Sequence, residues 1–423
     1  MKKSGFVLSG ILTTLLTVNS ANLKIDTHPI HNWVWNKTET PVLTFGVQDT
    51  TGCSKETELN IKIKGDREDS PVVFDENFTI KINENQKSEF QISPKLNNPG
   101  FYKVSVFDEG KEIKSFNIGI SPEEVISLPD AQKDIQEFWN LALLELGNIP
   151  LNATITELPE KSGEKRKIYF CQFLSLDNDT VSGYLAMPIK EGKYPAIIYY
   201  NGYNGQPWEI DPDGMPDWIE FQHWVRGQGP NKPYNRYDEY ALFNLDNPMN
   251  YYYRGGYMDA IRTIDFIESL PYTDKENIFA EGGSQGGAFT FAAAALDPKK
   301  RLRAIAPYIP FLSDFPDYFE IVHWPGDMAK EKAIELDMTP EELYRNLSYF
   351  DIKNLTPWIT VPVLMGVGLQ DPTCPPHTNF SGYNNLTTEK EYVIYPLLGH
   401  TVDYSDWNPR RMKFFEKNLK VKE

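Results

Sequence analysis

The sequence predicts an α/β fold built on a mostly parallel sheet, preceded by a small all-β sandwich of immunoglobulin-like kind. Three observations predict it. Residues 24–120 run in short stretches of period two, separated by turn clusters. From about residue 150 onward, short apolar runs alternate with helical patterns. The stretch "IFAEGGSQGGAFTFAAAALD", residues 278–297, sets four glycines around one serine between a strand and a helix.

The sandwich, 24–120, is read from alternation. Leu43, Phe45 and Val47 alternate with polar or small residues, and Leu59, Ile61 and Ile63 with Asn60, Lys62 and Lys64. Ile80 and Ile82, then Tyr102, Val104 and Val106, then Phe116, Ile118 and Ile120 repeat the pattern, with "GDREDSP" and "NNPG" as turns. No cluster of catalytic residue types occurs here, so packing, spacing or contact is the expected work. Trp33 and Trp35 could give the sandwich a carbohydrate-binding face. "SPEEVISLPDAQ" reads as a linker, followed by a docking helix on which Ile135, Phe138, Trp139, Ala142 and Leu143 recur at helical spacing; together they span 121–150.

From 151 to 423 the α/β part follows. "KIYFCQFLSL" and "VSGYLAMP" read as an antiparallel pair, and "YPAIIYY" as a short buried strand. "YMDAIRTIDFIESLP" is an amphipathic helix, "NIFAEGG" a strand and "SQGGAFTFAAAALD" a helix rich in Ala, the best helix former. "LRAIAPYIP", "VPVLMGVGLQD" and "KEYVIYPLLGH" supply three more strands, and "PRRMKFFEKNLK" a final helix.

A chain of 423 residues is long for one compact domain and suits a small domain joined to a large one. The net charge of −17 argues against nucleic acid as a partner, since such binding needs a basic face to release counterions. "MKKSGFVLSGILTTLLTVNSA", residues 1–21, has the layout of a secretory signal peptide: two lysines, an apolar run too short to span a bilayer, then small polar residues. The chain is therefore expected to be secreted or periplasmic, with no membrane association once the signal is removed. Cys53, Cys171 and Cys374 form no C-x-x-C pair and no disulfide framework.

Gly282-Gly283-Ser284-Gln285-Gly286 matches G-x-S-x-G, a weak pattern alone. Its place between strand and helix sharpens it, because a nucleophile elbow needs a strained turn that glycine neighbours tolerate. A serine is a poor nucleophile without a base, and the base needs an orienting acid. On α/β-hydrolase folds these follow in the order Ser, Asp or Glu, His. Of six histidines, His28 and His31 belong to the sandwich, His223 precedes Ser284, His323 precedes the acid candidate, and His377 lies too close to Asp371 along the chain to face it. Asp371 and His400 both end strands at their C-terminal edges, where catalytic groups gather in open α/β sheets. The set Ser284, Asp371 and His400 satisfies order and placement; a turn aspartate and a loop histidine are the bland alternatives. The oxyanion hole is expected from the backbone N–H of Gln285 and of Tyr203, the latter in "YYNGYNG", which otherwise reads as an ordinary turn.

"GGSQGG…AAAALD", "RGQG" at 226–229, "NPMNYYYRGGYMDAIR", "LSYFDIKNL" and "VGLQDPTCPP" together resemble the acetyl xylan esterase and cephalosporin-C deacetylase family, carbohydrate esterase family 7. The resemblance covers about 125–423. It implies an α/β-hydrolase fold, removal of acetyl groups from sugar hydroxyls, and the triad Ser284, Asp371 and His400, with oxyanion donors at Tyr203 and Gln285. The family's R-G-Q motif falls on Arg226, Gly227 and Gln228, as structural support near the site. Two departures stand out: Thr401 follows His400 where the family usually has Glu, and "NGQPWEIDPDGMPDWIEFQHWV" differs from the usual strand region. Catalytic-domain-only members tend to form closed hexamers, so a homo-oligomer is one expected state, and the added sandwich bears on it.

The expected reaction is two-step acyl transfer on acetylated oligosaccharide or polysaccharide, needing no metal and no organic cofactor. The rivals are a prolyl-oligopeptidase-type serine peptidase, an esterase for bulkier acyl groups, and a glycan-binding protein that kept the fold and lost catalysis.

Overall fold

The computed structural model describes residues 22–421; the expected signal peptide lies outside them. Eight strands come first: β1 (Leu23–Thr27), β2 (Val34–Trp35), β3 (Leu43–Asp49), β4 (Lys55–Gly65), β5 (Val72–Ile82), β6 (Lys87–Ile92), β7 (Gly100–Asp108) and β8 (Lys111–Ile120). They form a three-stranded sheet, β1-β3-β6, and a five-stranded sheet, β2-β8-β7-β4-β5. Alternation explains the sandwich: Phe45 and Val47 from one sheet and Leu59, Ile61, Val104 and Ile118 from the other are fully buried. One expectation fails here. Trp33 and Trp35 are only 3% and 5% exposed, and Trp33 stacks on Phe116 at 4.5 Å, so they fill the core and offer no face to a sugar.

Helix α1 (Ile135–Gly147) follows the linker and buries Ile135, Phe138, Trp139, Ala142 and Leu146 against the larger unit. There the chain runs through β9 (Thr154–Glu157), β10 (Arg166–Leu174), β11 (Thr180–Pro188), β12 (Tyr194–Tyr200), β13 (Ile219–Trp224), α2 (Tyr252–Ser269), β14 (Thr273–Gly283), α3 (Gln285–Leu296) and β15 (Leu302–Tyr308). A helical insert comes next: α4 (Phe315–Ile321), α5 (Gly326–Glu335), α6 (Pro340–Ser348) and the single turn α7 (Ile352–Leu355). The chain then closes with β16 (Val363–Gly368), α8 (Pro376–Asn384), β17 (Lys390–Tyr395) and α9 (Tyr404–Lys417).

The nine strands form one sheet, ordered β17-β16-β15-β14-β12-β13-β11-β10-β9. All pairs from β13 to β17 are parallel, and β9, β10 and β11 extend the sheet antiparallel. Both faces are covered, which is why "YPAIIYY" reads as a continuous apolar run. Ile197 and Tyr199 face the α9 side with Phe279 and Trp407, while Ala196, Ile198 and Tyr200 join the opposite core with α2 and α3. Every residue of α3 is buried, so it shows no amphipathic stripe. In this unit β9, β13, α8 and the helices between Phe315 and Leu355 went unpredicted. All six residues of β13 are buried, Glu220, Gln222 and His223 among them, so no hydrophobic period marks it. Among the described residues no helix is long and apolar enough to cross a membrane.

Candidate active site

Strand β14 runs to Gly283 and helix α3 starts at Gln285, leaving Ser284 alone at the junction with φ 57° and ψ −122°. A residue with a side chain takes this conformation only when its surroundings impose it. They do. The Ser284 N–H reaches the carbonyls of Tyr308 and Ile309 at 3.1 Å each, and its carbonyl accepts from the Phe311 N–H at 3.0 Å. The flanking glycines have no room for a Cβ. One on Gly286 would stand 2.1 Å from the Tyr200 carbonyl oxygen, and one on Gly282 2.5 Å from Gly286 itself. The half-buried serine therefore stands out at the C-terminal edge of the sheet, above the N-terminus of α3.

Asp371 sits in the loop after β16 and is fully buried. Its Oδ1 accepts from the Thr373 and Cys374 N–H groups at 2.8 and 2.9 Å, and its Oδ2 lies 2.8 Å from Nδ1 of His400. His400 follows β17. The two loops are pressed together, since a Cβ on Gly368 would stand 2.0 Å from the Gly399 carbonyl oxygen. With Nδ1 held by the carboxylate, Nε2 is the nitrogen left for chemistry. Ser284 lies against the Cys374 thiol, three residues past Asp371. The structure thus joins Asp371 to His400 directly and brings Ser284 beside the acid loop. Ser284 and His400 share no hydrogen bond in this conformation, a contact that commonly tightens only when substrate is bound. Thr401, in the place where Glu is usual, turns back on its own loop: its N–H reaches the Gly399 carbonyl at 2.7 Å.

The loop after β12 carries Tyr203. It packs on the serine turn, where a Cβ on Gly202 would come 3.7 Å from the Gly283 carbonyl oxygen. Gln228 holds this loop. Its Oε1 accepts from the Asn204 N–H at 2.9 Å and from Asn201 Nδ2 at 3.3 Å, and its Nε2 donates to Tyr252 Oη at 2.9 Å and Gln285 Oε1 at 3.1 Å. One buried amide therefore ties Gln285 to the loop that carries Tyr203, gripping that loop at Asn201 and Asn204. Arg226 holds the segment below. Its guanidinium forks onto Asp259 of α2 at 2.9 and 2.7 Å and meets Asp179 at 2.9 Å, all nearly inaccessible to water. Gly227 between them takes φ +71°, which a residue with a Cβ rarely adopts.

The other histidines stand apart from this centre. His223 is sealed in β13, and burial lowers it to about 3. His377 opens α8, bonded on both ring nitrogens to Asp66 and Asp317, and His323 bonds Asp327 at the surface. The sequence reading missed Asp259 as the partner of Arg226, and also the cleft itself. A cavity of about 280 Å³ opens at Ser284, lined by Tyr203, Leu242, Phe311, Tyr318 and Trp324. Tyr318 and Trp324 come from the helical insert and Phe311 from the turn just before it, and nothing in their local pattern marks them.

The family model for acetyl xylan esterase (AXE1) matches residues 124–418. The acetyl esterase Axe7A of Xylanibacter ruminicola is 28% identical over 339 residues, covering 77% of this chain and 76% of that protein. Among solved structures, the acetyl xylan esterase from Paenibacillus sp. R4 superposes with a TM-score of 0.64 at 29% identity, over 70% of this chain and 98% of its own. Acetyl xylan esterase 1 from Thermoanaerobacterium sp. JW/SL YS485 gives 0.63 at 26%, over 71% and 98%. Both structures are matched almost whole. With the motifs at Ser284, Arg226 and Asp371 inside the matched span, the chain belongs to the acetyl xylan esterase family.

Proposed function

We propose that this serine esterase removes O-acetyl groups from acetylated xylan and xylo-oligosaccharides, with Ser284 as nucleophile, His400 as general base and Asp371 as the acid that orients it. The observation that carries the reading is the Asp371–His400 contact of 2.8 Å beside a serine held in a strained strand-to-helix turn. His400 Nε2 takes the proton of Ser284 as Oγ attacks the acetyl carbonyl. The N–H groups of Gln285 and Tyr203 hold the developing oxyanion, helped by the N-terminus of α3. His400 then protonates the departing sugar oxygen, and a water activated by the same nitrogen clears the acetyl-enzyme.

The cleft fits this chemistry. It is small, and Trp324, 58% exposed, offers a flat apolar face beside Phe311 and Tyr318 of the kind that sugar rings lie against. Export to the periplasm or medium, where the polymer is met, is part of the proposal. It rests on residues 1–21 alone.

The test is acetate release from acetylated xylo-oligosaccharides, run beside para-nitrophenyl esters of two, four and eight carbons. Turnover confined to the acetyl esters, and lost in Ser284→Ala with unchanged melting, is the expected result. Faster turnover of the longer esters would overturn the substrate, and an active Ser284→Ala would overturn the nucleophile.

A further inference from the structure

The family match begins at residue 124, so the sandwich is an addition to the catalytic fold. It contains no candidate catalytic cluster, yet it grips the catalytic unit on both sides of the acid loop. Strand β8 is paired with β2 only at Gly119 and Ile120. Just before that pairing, the side chain of Gln370 takes the free edge. Its Oε1 accepts from the Asn117 N–H at 2.7 Å, and its Nε2 donates to the Asn117 carbonyl at 3.0 Å. A primary amide carries the donor and acceptor of a peptide group, so Gln370 extends the sheet by one rung. The Asn117 side chain returns the contact by donating Nδ2 to the Leu369 carbonyl at 3.1 Å.

Gln370 is the residue before Asp371. Its Nε2 also donates to the Pro396 carbonyl at 2.8 Å, at the start of the loop that ends in His400. One amide thus joins the sandwich, the acid loop and the base loop. A second tie lies on the far side of Asp371. His377 Nδ1 meets Asp66 of the sandwich at 3.0 Å, and Nε2 meets Asp317 of α4 at 3.0 Å. Arg67 reaches Asp317 at 3.2 Å, and the Glu68 N–H bonds the Glu320 carbonyl at 2.9 Å. Helix α4 in turn carries Tyr318, which lines the cleft and donates to the Thr373 carbonyl at 3.0 Å. Asp314, Asp317 and His377 come within reach of one cation. However, both His377 nitrogens are committed to carboxylates, and Asp314 is taken by Lys353, Ser127 and Ser381, so the cluster reads as a strut.

The geometry points to the sandwich as the positioning device of the catalytic pair: Asn117 through Gln370, and Asp66 through His377, hold the Asp371 loop on both sides, and Pro396 passes the constraint to His400. Gln370 and His377 are positioning residues, since neither lines the cleft at Ser284. The inference rests on the assignment of Asp371 and His400 as acid and base.

The experiment uses the full chain with para-nitrophenyl acetate, reading kcat and KM separately, the rate of fluorophosphonate labelling at Ser284, and the melting temperature. Gln370→Met keeps the volume and removes all three bonds. It is expected to lower kcat and labelling roughly 10- to 100-fold with KM within about 3-fold, as misplacement of a catalytic group does. Asn117→Ala loses only the Leu369 bond and should show a smaller fall in kcat. Gln132→Ala cuts a linker contact to Ser348 far from the acid loop and should match wild type. Wild-type kcat and labelling in folded Gln370→Met, with Asp371→Asn inactive, overturns the inference and leaves the triad standing. An active Asp371→Asn overturns the triad itself. If Gln370→Met does not fold, Asn117→Ala decides on the same readouts, and no fall in its kcat overturns the inference.

Discussion

Asp371→Asn should silence the enzyme without unfolding it, and the hydrogen bonds say why. The exchange is isosteric, so what matters is which end of the amide faces which partner. Oδ1 accepts two backbone N–H groups, from Thr373 at 2.8 Å and Cys374 at 2.9 Å. Turning the amide nitrogen toward them would leave two buried donors unmatched, at about 1–3 kcal/mol each. The smallest such cost, about 2 kcal/mol for the pair, already favours oxygen in that place by roughly 30-fold. The NH2 must then face His400 Nδ1, where Oδ2 now stands at 2.8 Å. A nitrogen that faces a donor must accept, so the ring proton moves to Nε2. That nitrogen can no longer take a proton from Ser284. The expected loss is ~10⁴-fold in kcat, the size that the wrong tautomer costs a Ser-His-Asp triad. The folded state loses only the charge assistance of bonds that survive, about 1 kcal/mol. The assay is initial-rate hydrolysis of para-nitrophenyl acetate with acetate release from acetylated xylo-oligosaccharide, plus a melting curve. A folded variant within tenfold of wild type would refute the reasoning, because Asp371 would then not set the tautomer of His400.

Two further outcomes are expected. Gly286→Ala places a methyl 2.1 Å from the Tyr200 oxygen, 2.8 Å from its carbon and 3.1 Å from the Asn201 oxygen, all backbone that cannot swing aside. Stability should fall by about 1–3 kcal/mol. Activity should fall further as the Tyr203 loop is pushed off the serine, so a calorimetric midpoint and kcat equal to wild type would contradict the close packing. His377 is pushed up to about 10: burial opposes its charge, but the Asp66 and Asp317 carboxylates on either side outweigh it. Its ordinary value is about 6.5, so the folded state binds the proton more tightly than the unfolded one. The stabilisation is then complete below about pH 6.5 and is lost as pH rises toward 10. Denaturant midpoints of wild type and His377→Gln should differ most near pH 6 and converge by pH 10. A constant gap would mean that His377 carries no charge.

Much of the chemistry was legible because it is local. A serine between glycines needs only its own strand and helix to be read as an elbow, and Asp371 and His400 each announce themselves at the end of an apolar strand. The R-G-Q motif was visible as well, but its work was not. Gln228 acts through Asn201, Asn204, Tyr252 and Gln285, which the chain brings together only after β12, β13, α2 and α3 have packed. Where a strand is buried on every side and carries polar residues inside, as β13 does, period and composition fall silent together. The two tryptophans of the sandwich show the opposite error. Trp33 and Trp35 look available in a polar stretch, and the fold turns both inward.

The sequence by itself determined the α/β architecture, the sandwich before it, and the identity and order of the three residues proposed for catalysis, because periodicity and turn chemistry act between near neighbours. Only the tertiary structure decided which backbone groups and side chains hold the acid and base loops in place, which aromatic groups wall the cleft, and that the sandwich grips the acid loop. The physical reason is distance along the chain. Gln370 and Asn117 are 253 residues apart, and a hydrogen bond between them leaves no mark on the residues around either one.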